Sequence, residues 1–302
     1  MSKYINPFID FSFKLIFGQK SSGEFLIHFL NSLLKENPGF EPIESVTYLD
    51  KESPKERDDS RGIIYDILCT TEKGKKFIVE MQNQGQSYFI DRGLYYVSHA
   101  ICDQAKSGKD KWEYQLVPVH FVAFMNFTLP ELGKEVVAHS MLTNLTTHEP
   151  VTDKVRYTFI QLPYFTLSKD ECTDEFDKWI YTLKNMTTME HMPFTNNIFG
   201  RLATAVEYAA LDEHERIEYD RELKAYRDRV NQDEYIAKTN FTKGREEGEM
   251  IGMEKGRKEG RKEGRKEGRK EMIILLYRRG DTIESIATLL NTTTDDVKSC
   301  LS

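Results

Sequence analysis

The sequence predicts an α/β protein: a mixed sheet core flanked by helices, followed by an α-helical tail at the C-terminus. Three observations carry that prediction. Segments with apolar residues at helical spacing alternate with short β-rich runs up to about residue 235. Residues 116–127 form a nearly continuous apolar run, as a strand covered on both faces requires. From Gly244 a glycine recurs every four residues, and the composition stops being that of a globular domain.

The elements follow in order. The opening segment NPFIDFSFKLIFG at 6–18 holds a first helix, on which Asp10 and Lys14 stand four apart. Residues 22–34 set Phe25, Leu26, Phe29, Leu30, Leu33 and Leu34 on one helical stripe, and Asn37, Pro38 and Gly39 end it. A charged loop at 51–61 leads into residues 62–71, rich in β-formers. Turn residues at 72–75 and a second run at 76–82 complete a β-hairpin. Residues 87–106 suit a helix, with Phe89, Ile90, Leu94, Val97, Ile101 and Ala105 at helical spacing and Gly108 beyond the end. Pro118 belongs near the start of the buried strand, because proline cannot donate to the ladder. Residues 155–162 make a further strand, and 170–235 turn helical and increasingly charged.

The tail is different in kind. Residues 272–277 are apolar, and Arg278, Arg279 and Gly280 are expected to close a short helix there. Residues 282–290 and 294–301 read as two more short helices, each opening on a threonine that can cap. The expected organisation is a globular domain over 1–235, a charged glycine-repeat helix or tether over 236–271, and a small helix-turn-helix-like module over 272–302. In that module Asp295, Asp296 and a single Lys298 make a poor base reader, so packing or oligomerisation is its expected role.

Composition bounds the function. The 302 residues carry a formal net charge of −7, which excludes a uniformly basic surface that coats nucleic acid. The average conceals segregation: residues 241–270 carry 11 Lys/Arg and 7 Glu, a balance of +4, so everything else amounts to −11. Cys69, Cys102, Cys172 and Cys300 are far apart, which suits a reducing compartment and disfavours a zinc site or disulfide scaffold. Without an apolar leader or spanning run, the expected location is cytoplasmic.

The chemistry concentrates in the hairpin. Glu80 and Gln82 share one face of the second strand, with Val79 and Met81 on the other. If the turn is centred near Lys73, partner numbers sum to 146 and Asp66 falls opposite Glu80 in the first strand; a two-residue turn would shift the pairing by one. Carboxylates directly opposite have Cβ atoms about 5 Å apart and repel. A hard divalent cation between them removes the conflict and can stabilise charge on a phosphate. The plain alternative is a pair of solvent-facing acids on an antiparallel sheet, although both interrupt otherwise apolar strands. No phosphate-binding loop, dinucleotide fingerprint or nucleophile elbow is present.

On the opening segment 6–18, the Asp66 and Glu80-Met81-Gln82 pair, the Arg92–Tyr96 helix, residues 114–127 and the glycine-repeat tail, the chain resembles the PD-(D/E)XK nuclease family transposases, also called the recombination-promoting nuclease (Rpn) family. The resemblance implies a restriction-endonuclease-like core that hydrolyses DNA phosphodiesters with a divalent metal, expected to be magnesium. It implies that Asp66 and Glu80 ligate the metal and that Gln82 stands where the wider superfamily has a lysine. Glutamine offers a dipole where lysine offers a charge; it is usual at this place in the group that the chain resembles.

Asp10 and Lys14 could reach the same cleft or form an exposed i,i+4 pair. Arg92 with Tyr95 and Tyr96 could touch a phosphate backbone or pack. In the tail, a four-residue period overshoots a helical turn by roughly 40° per repeat, so the glycine stripe winds around the helix. The segment is therefore either a charged tether or a close-approach surface for homo-oligomers. In the second case Arg257, Lys258, Arg261, Lys262, Arg265 and Lys266 face DNA. The leading expectation is a metal-dependent DNA endonuclease associated with recombination or mobile DNA, partnered by DNA and not by membrane. The alternative is a catalytically weak DNA-binding or oligomeric interaction protein that keeps the nuclease fold.

Overall fold

The computed structural model describes residues 2–37, 39–49, 52–53, 63–86, 88–104, 115–195 and 197–301. Most of the charged loop expected at 51–61, together with Gly62, Ala105, Gly108 and Tyr114, lies outside the described residues. The chain forms two compact units, Met1–Arg227 and Asp228–Ser302.

The first unit is built on strands β1 (Val46–Tyr48), β2 (Glu52–Ser53), β3 (Ile63–Ile64), β4 (Ile67–Thr71), β5 (Lys76–Gln82), β6 (Val119–Met125), β7 (Val137–Met141) and β8 (Val155–Gln161). Helices α1 (Asp10–Phe17), α2 (Gly23–Leu34), α3 (Phe89–Cys102), α4 (Glu175–Asn185) and α5 (Asn197–Ala205) flank the sheet. Six strands pair in the order β1-β4-β5-β6-β8-β7, and β2 with β3 makes a separate ribbon. β5, β6 and β8 run parallel, whereas β1, β4 and β7 are antiparallel to their neighbours. A parallel β5–β6 step needs a crossover, and α3 supplies it.

The hairpin takes the register read from the sequence. Ile67 pairs with Val79, Leu68 with Ile78, Cys69 with Phe77 and Thr70 with Lys76. Gly74, at φ 79°, takes the left-handed position that closes the turn, while the Gly74 and Thr71 N–H groups donate to Thr71 O and Lys75 O.

Every residue of β6 is buried. Its alternation divides the core: Val122 and Phe124 face α1, α2 and α4, and Phe121, Ala123 and Met125 face Phe89, Val97 and Ala100 of α3. The stripe expected on α2 is buried throughout. Its Phe29 meets Phe124 at 4.9 Å between ring centroids and Trp179 of α4 at 6.1 Å. Trp179 is fully buried, and its indole N–H donates to His28 Nδ1 at 2.9 Å. His120 is buried, bonds Thr158 Oγ1 at 2.8 Å and is pushed down to about 3 by desolvation.

The tail departs from expectation in two respects. Residues 272–277 do not begin a separate short helix, because α6 runs unbroken from Glu213 to Arg279. No proline follows Pro193, and glycine weakens a helix without removing its hydrogen bonds. Each glycine from Gly244 to Gly268 has nothing within 4 Å of the position a Cβ would take. The second difference is the cap of the last helix. α7 (Ile283–Leu289) is capped by Thr282 as expected, but in α8 (Thr294–Leu301) the capping oxygen is Thr293 Oγ1, which accepts from Asp296 N at 3.1 Å. Ile273, Leu276, Ile286, Ala287 and Val297 close a small core.

Candidate active site

Asp66 does not lie in the hairpin strand proper. It occupies a bend one residue before β4, because its carboxylate takes the role that a ladder carbonyl would have had. The Met81 N–H donates to Asp66 Oδ2 at 2.9 Å, and the Asp66 N–H donates to Glu80 Oε1 at 3.1 Å. Two side-chain bonds thus replace the next rung of the sheet and lock both acids to the end of β5.

Glu80 is 1% exposed. It and Gln82 lie on the α3 face of β5, as the alternation required, and one arginine bridges them. Arg92, in the first turns of α3, donates from Nη2 to Glu80 Oε2 at 2.9 Å and from Nη1 to Gln82 Oε1 at 3.2 Å. Its Nε donates to Tyr96 Oη at 3.0 Å, and the guanidinium lies 5.0 Å from the Tyr96 ring centre. Arg92 and Tyr96 are four apart on one helix, so a helical turn is what aligns them. Gln82 Nε2 donates to Gln84 O at 3.1 Å, which fixes the amide.

Burial is the largest influence on the acidic pair. Desolvation, then the charge of Asp66, pushes the Glu80 carboxyl up to about 8 against an ordinary 4.5, while Arg92 and Lys14 pull it down. Asp66 is raised too, first by burial and then, among charges, by Asp10, with Lys14 and Arg92 opposing. Asp10 and Lys14 therefore act on the pair through space. Their own contact is an ion pair at 2.5 Å, the i,i+4 bond that the plain reading of the sequence described.

α1 is brought to this end of β5 by partners that no sequence pattern announced. Asn83, the residue after Gln82, donates from Nδ2 to Phe8 O, and Glu222 of α6 accepts from Phe11 N at 2.8 Å. Both polar groups serve backbone atoms of the opening segment, so neither belongs to a recognisable spacing. Arg257, Lys258, Arg261, Lys262, Arg265 and Lys266 are exposed on α6 within the second unit.

Among the described residues, no group of three or more His, Cys, Asp or Glu side chains is placed to hold a metal ion. Asp66 and Glu80 offer carboxylate oxygens, hard donors of the kind that suit magnesium, with the Gln82 amide on the Glu80 face of β5. The pair also has the electrostatic deficit that a cation relieves, since each acid is raised by burial and Glu80 further by its neighbour. On donor chemistry the residues fit a divalent ion with water completing its shell.

The site sits at the carboxyl end of the parallel strands, where open α/β sheets place their ligands. This is a PD-(D/E)XK nuclease-like α/β fold. The sequence model of the family described as PD-(D/E)XK nuclease family transposase matches residues 7–235, and the chain belongs to that family. Membership points to a nuclease related to mobile DNA. Neither a curated protein nor a solved structure matches the chain. Among the described residues, no helix is long and apolar enough to cross a membrane.

Proposed function

We propose that the protein is a metal-dependent DNA endonuclease whose active site is Asp66, Glu80 and Gln82. The observation that carries this reading is the acidic pair, Glu80 buried and Asp66 half-buried, cross-linked to the end of β5 with an amide on the same face. Asp66 and Glu80 would hold the ion, expected to be magnesium, and that ion would supply positive charge against the phosphoryl oxygens of DNA. Gln82 orients by hydrogen bonding; in the metal-free protein it is held by Arg92 on one side and by Gln84 O on the other. Lys14 offsets negative charge at both acids from α1 and serves as an accessory group with Asp10.

In this reading the nuclease domain covers 1–235, and the basic stretch within 236–271 adds salt-dependent attraction to the phosphate backbone through Arg257, Lys258, Arg261, Lys262, Arg265 and Lys266. The glycine positions of that stretch leave room for a second helix, which supports homo-oligomers. The module at 272–302 closes its own small core.

The test is nicking of supercoiled plasmid with a series of divalent metals. Magnesium-dependent nicking is expected, and it should vanish in Asp66→Ala and Glu80→Ala proteins that still melt cooperatively. Salt-sensitive DNA binding by the wild type without cleavage under any metal would instead favour a binding protein that keeps the fold.

A further inference from the structure

Arg92 already occupies the place where a cation is needed. Its guanidinium spans Glu80 Oε2 and Gln82 Oε1, and it is 31% exposed while the Glu80 side chain is 2% exposed. A cation binding at Glu80 Oε2 would therefore have to take the guanidinium's place. If both stayed, one carboxylate would carry two cations in a buried setting, where like charges repel most strongly.

The other side of the guanidinium is built differently. Its Nε bond to Tyr96 Oη and its stacking on the Tyr96 ring involve no acid. Those contacts can hold the side chain in place after the fork has left Glu80, because the ring attracts the charge from whichever side its nitrogens point. A released guanidinium presents a planar fork of donors, matched to a phosphate as well as to a carboxylate.

We propose that Arg92 is a latch: its fork holds Glu80 and Gln82 in the free protein, is displaced from them by a divalent cation, and then takes an oxygen of the phosphate backbone while Tyr96 keeps it beside the site. The inference rests on the nuclease reading and deepens it. It makes Arg92 a positioning residue that acts through Glu80 until the cation arrives, and it couples metal occupancy to DNA binding.

The experiment is calorimetric titration of the full-length, DNA-free protein with Mg²⁺ at pH 9, where proton competition at Glu80 is small. Wild type, Arg92→Gln, Arg92→Lys and Glu80→Gln are compared. Loss of the competing guanidinium should tighten Mg²⁺ binding by about tenfold in Arg92→Gln. A fold defect would weaken binding, so the sign separates a latch from a structural prop. In Ca²⁺, the same variant should bind a duplex oligonucleotide about tenfold more weakly by fluorescence anisotropy. Arg92→Lys keeps the charge without the fork and should tighten Mg²⁺ binding by a smaller factor, which preserves the test should the glutamine variant not fold. Unchanged or weaker Mg²⁺ binding in both variants overturns the latch alone, provided that wild type binds and Glu80→Gln does not. Unchanged DNA binding by Arg92→Gln overturns the phosphate step. Absence of Mg²⁺ binding by wild type overturns the latch and the metal-dependent reading together.

Discussion

Replacing Glu80 with glutamine should stabilise the metal-free protein at alkaline pH and have little effect at acid pH. An acid that titrates near 8 in the fold and near 4.5 when unfolded disfavours the folded state once it must ionise. The sign follows from the raised value. The contribution is fully present below about pH 4.5 and is lost as pH rises through about 8. At roughly 1.4 kcal/mol per tenfold, the full difference would approach 4–5 kcal/mol. The coupled Asp66 and the partly exposed Arg92 share in it, and the glutamine forfeits a charge-assisted bond to Arg92, so a net gain of about 2 kcal/mol is expected at pH 9. The amide oxygen of glutamine can still accept from Asp66 N, so the local geometry survives. A gain of that size raises Tm by about 4–8 °C for a domain of this length. Thermal melts in EDTA at pH 5, 7 and 9 give the comparison. A Tm difference that stays constant across the three, or that turns against the variant at pH 9, would refute the electrostatic argument. Saturating Mg²⁺ at pH 9 should reverse the order, since only the wild type gains from binding.

Two further outcomes follow from the packing. Phe124 is fully buried and lies 5.4 Å from the Phe13 ring and 4.9 Å from the Phe29 ring, so Phe124→Ala should cost about 3–5 kcal/mol and lower Tm by at least ~6 °C in thermal denaturation. In the tail, alanine at Gly256, Gly260 and Gly264 meets open space, and each should favour the helix by up to ~1 kcal/mol. Hydrogen exchange over residues 250–270 should slow. Faster exchange, together with loss of a crosslinkable dimer, would mean that a partner helix fills that space.

Much of the fold was legible because its signals are local. The stripe on α2, the apolar run of β6 and the turn at Gly74 each declare themselves within a few residues, and the hairpin register follows from where the turn is centred. β1 and β7 were not read, because each is a short edge strand without a long apolar run of its own. The Arg92–Tyr96 contact was half visible, since helical spacing aligns the two residues but says nothing of what lies opposite.

The amino-acid sequence by itself determined that Glu80 and Gln82 share a face and that the acidic and basic charges belong to different parts of the chain, and a turn centred near Lys73 put Asp66 level with Glu80. Those are consequences of strand alternation, turn length and composition. Tertiary structure alone decided that Arg92 closes over Glu80 and Gln82, that Asn83 and Glu222 hold α1 beside this end of β5, and that Asp66 leaves the ladder for Met81 N. Each of these joins groups brought together by a crossover or a packed helix, and such distances are set by the whole core.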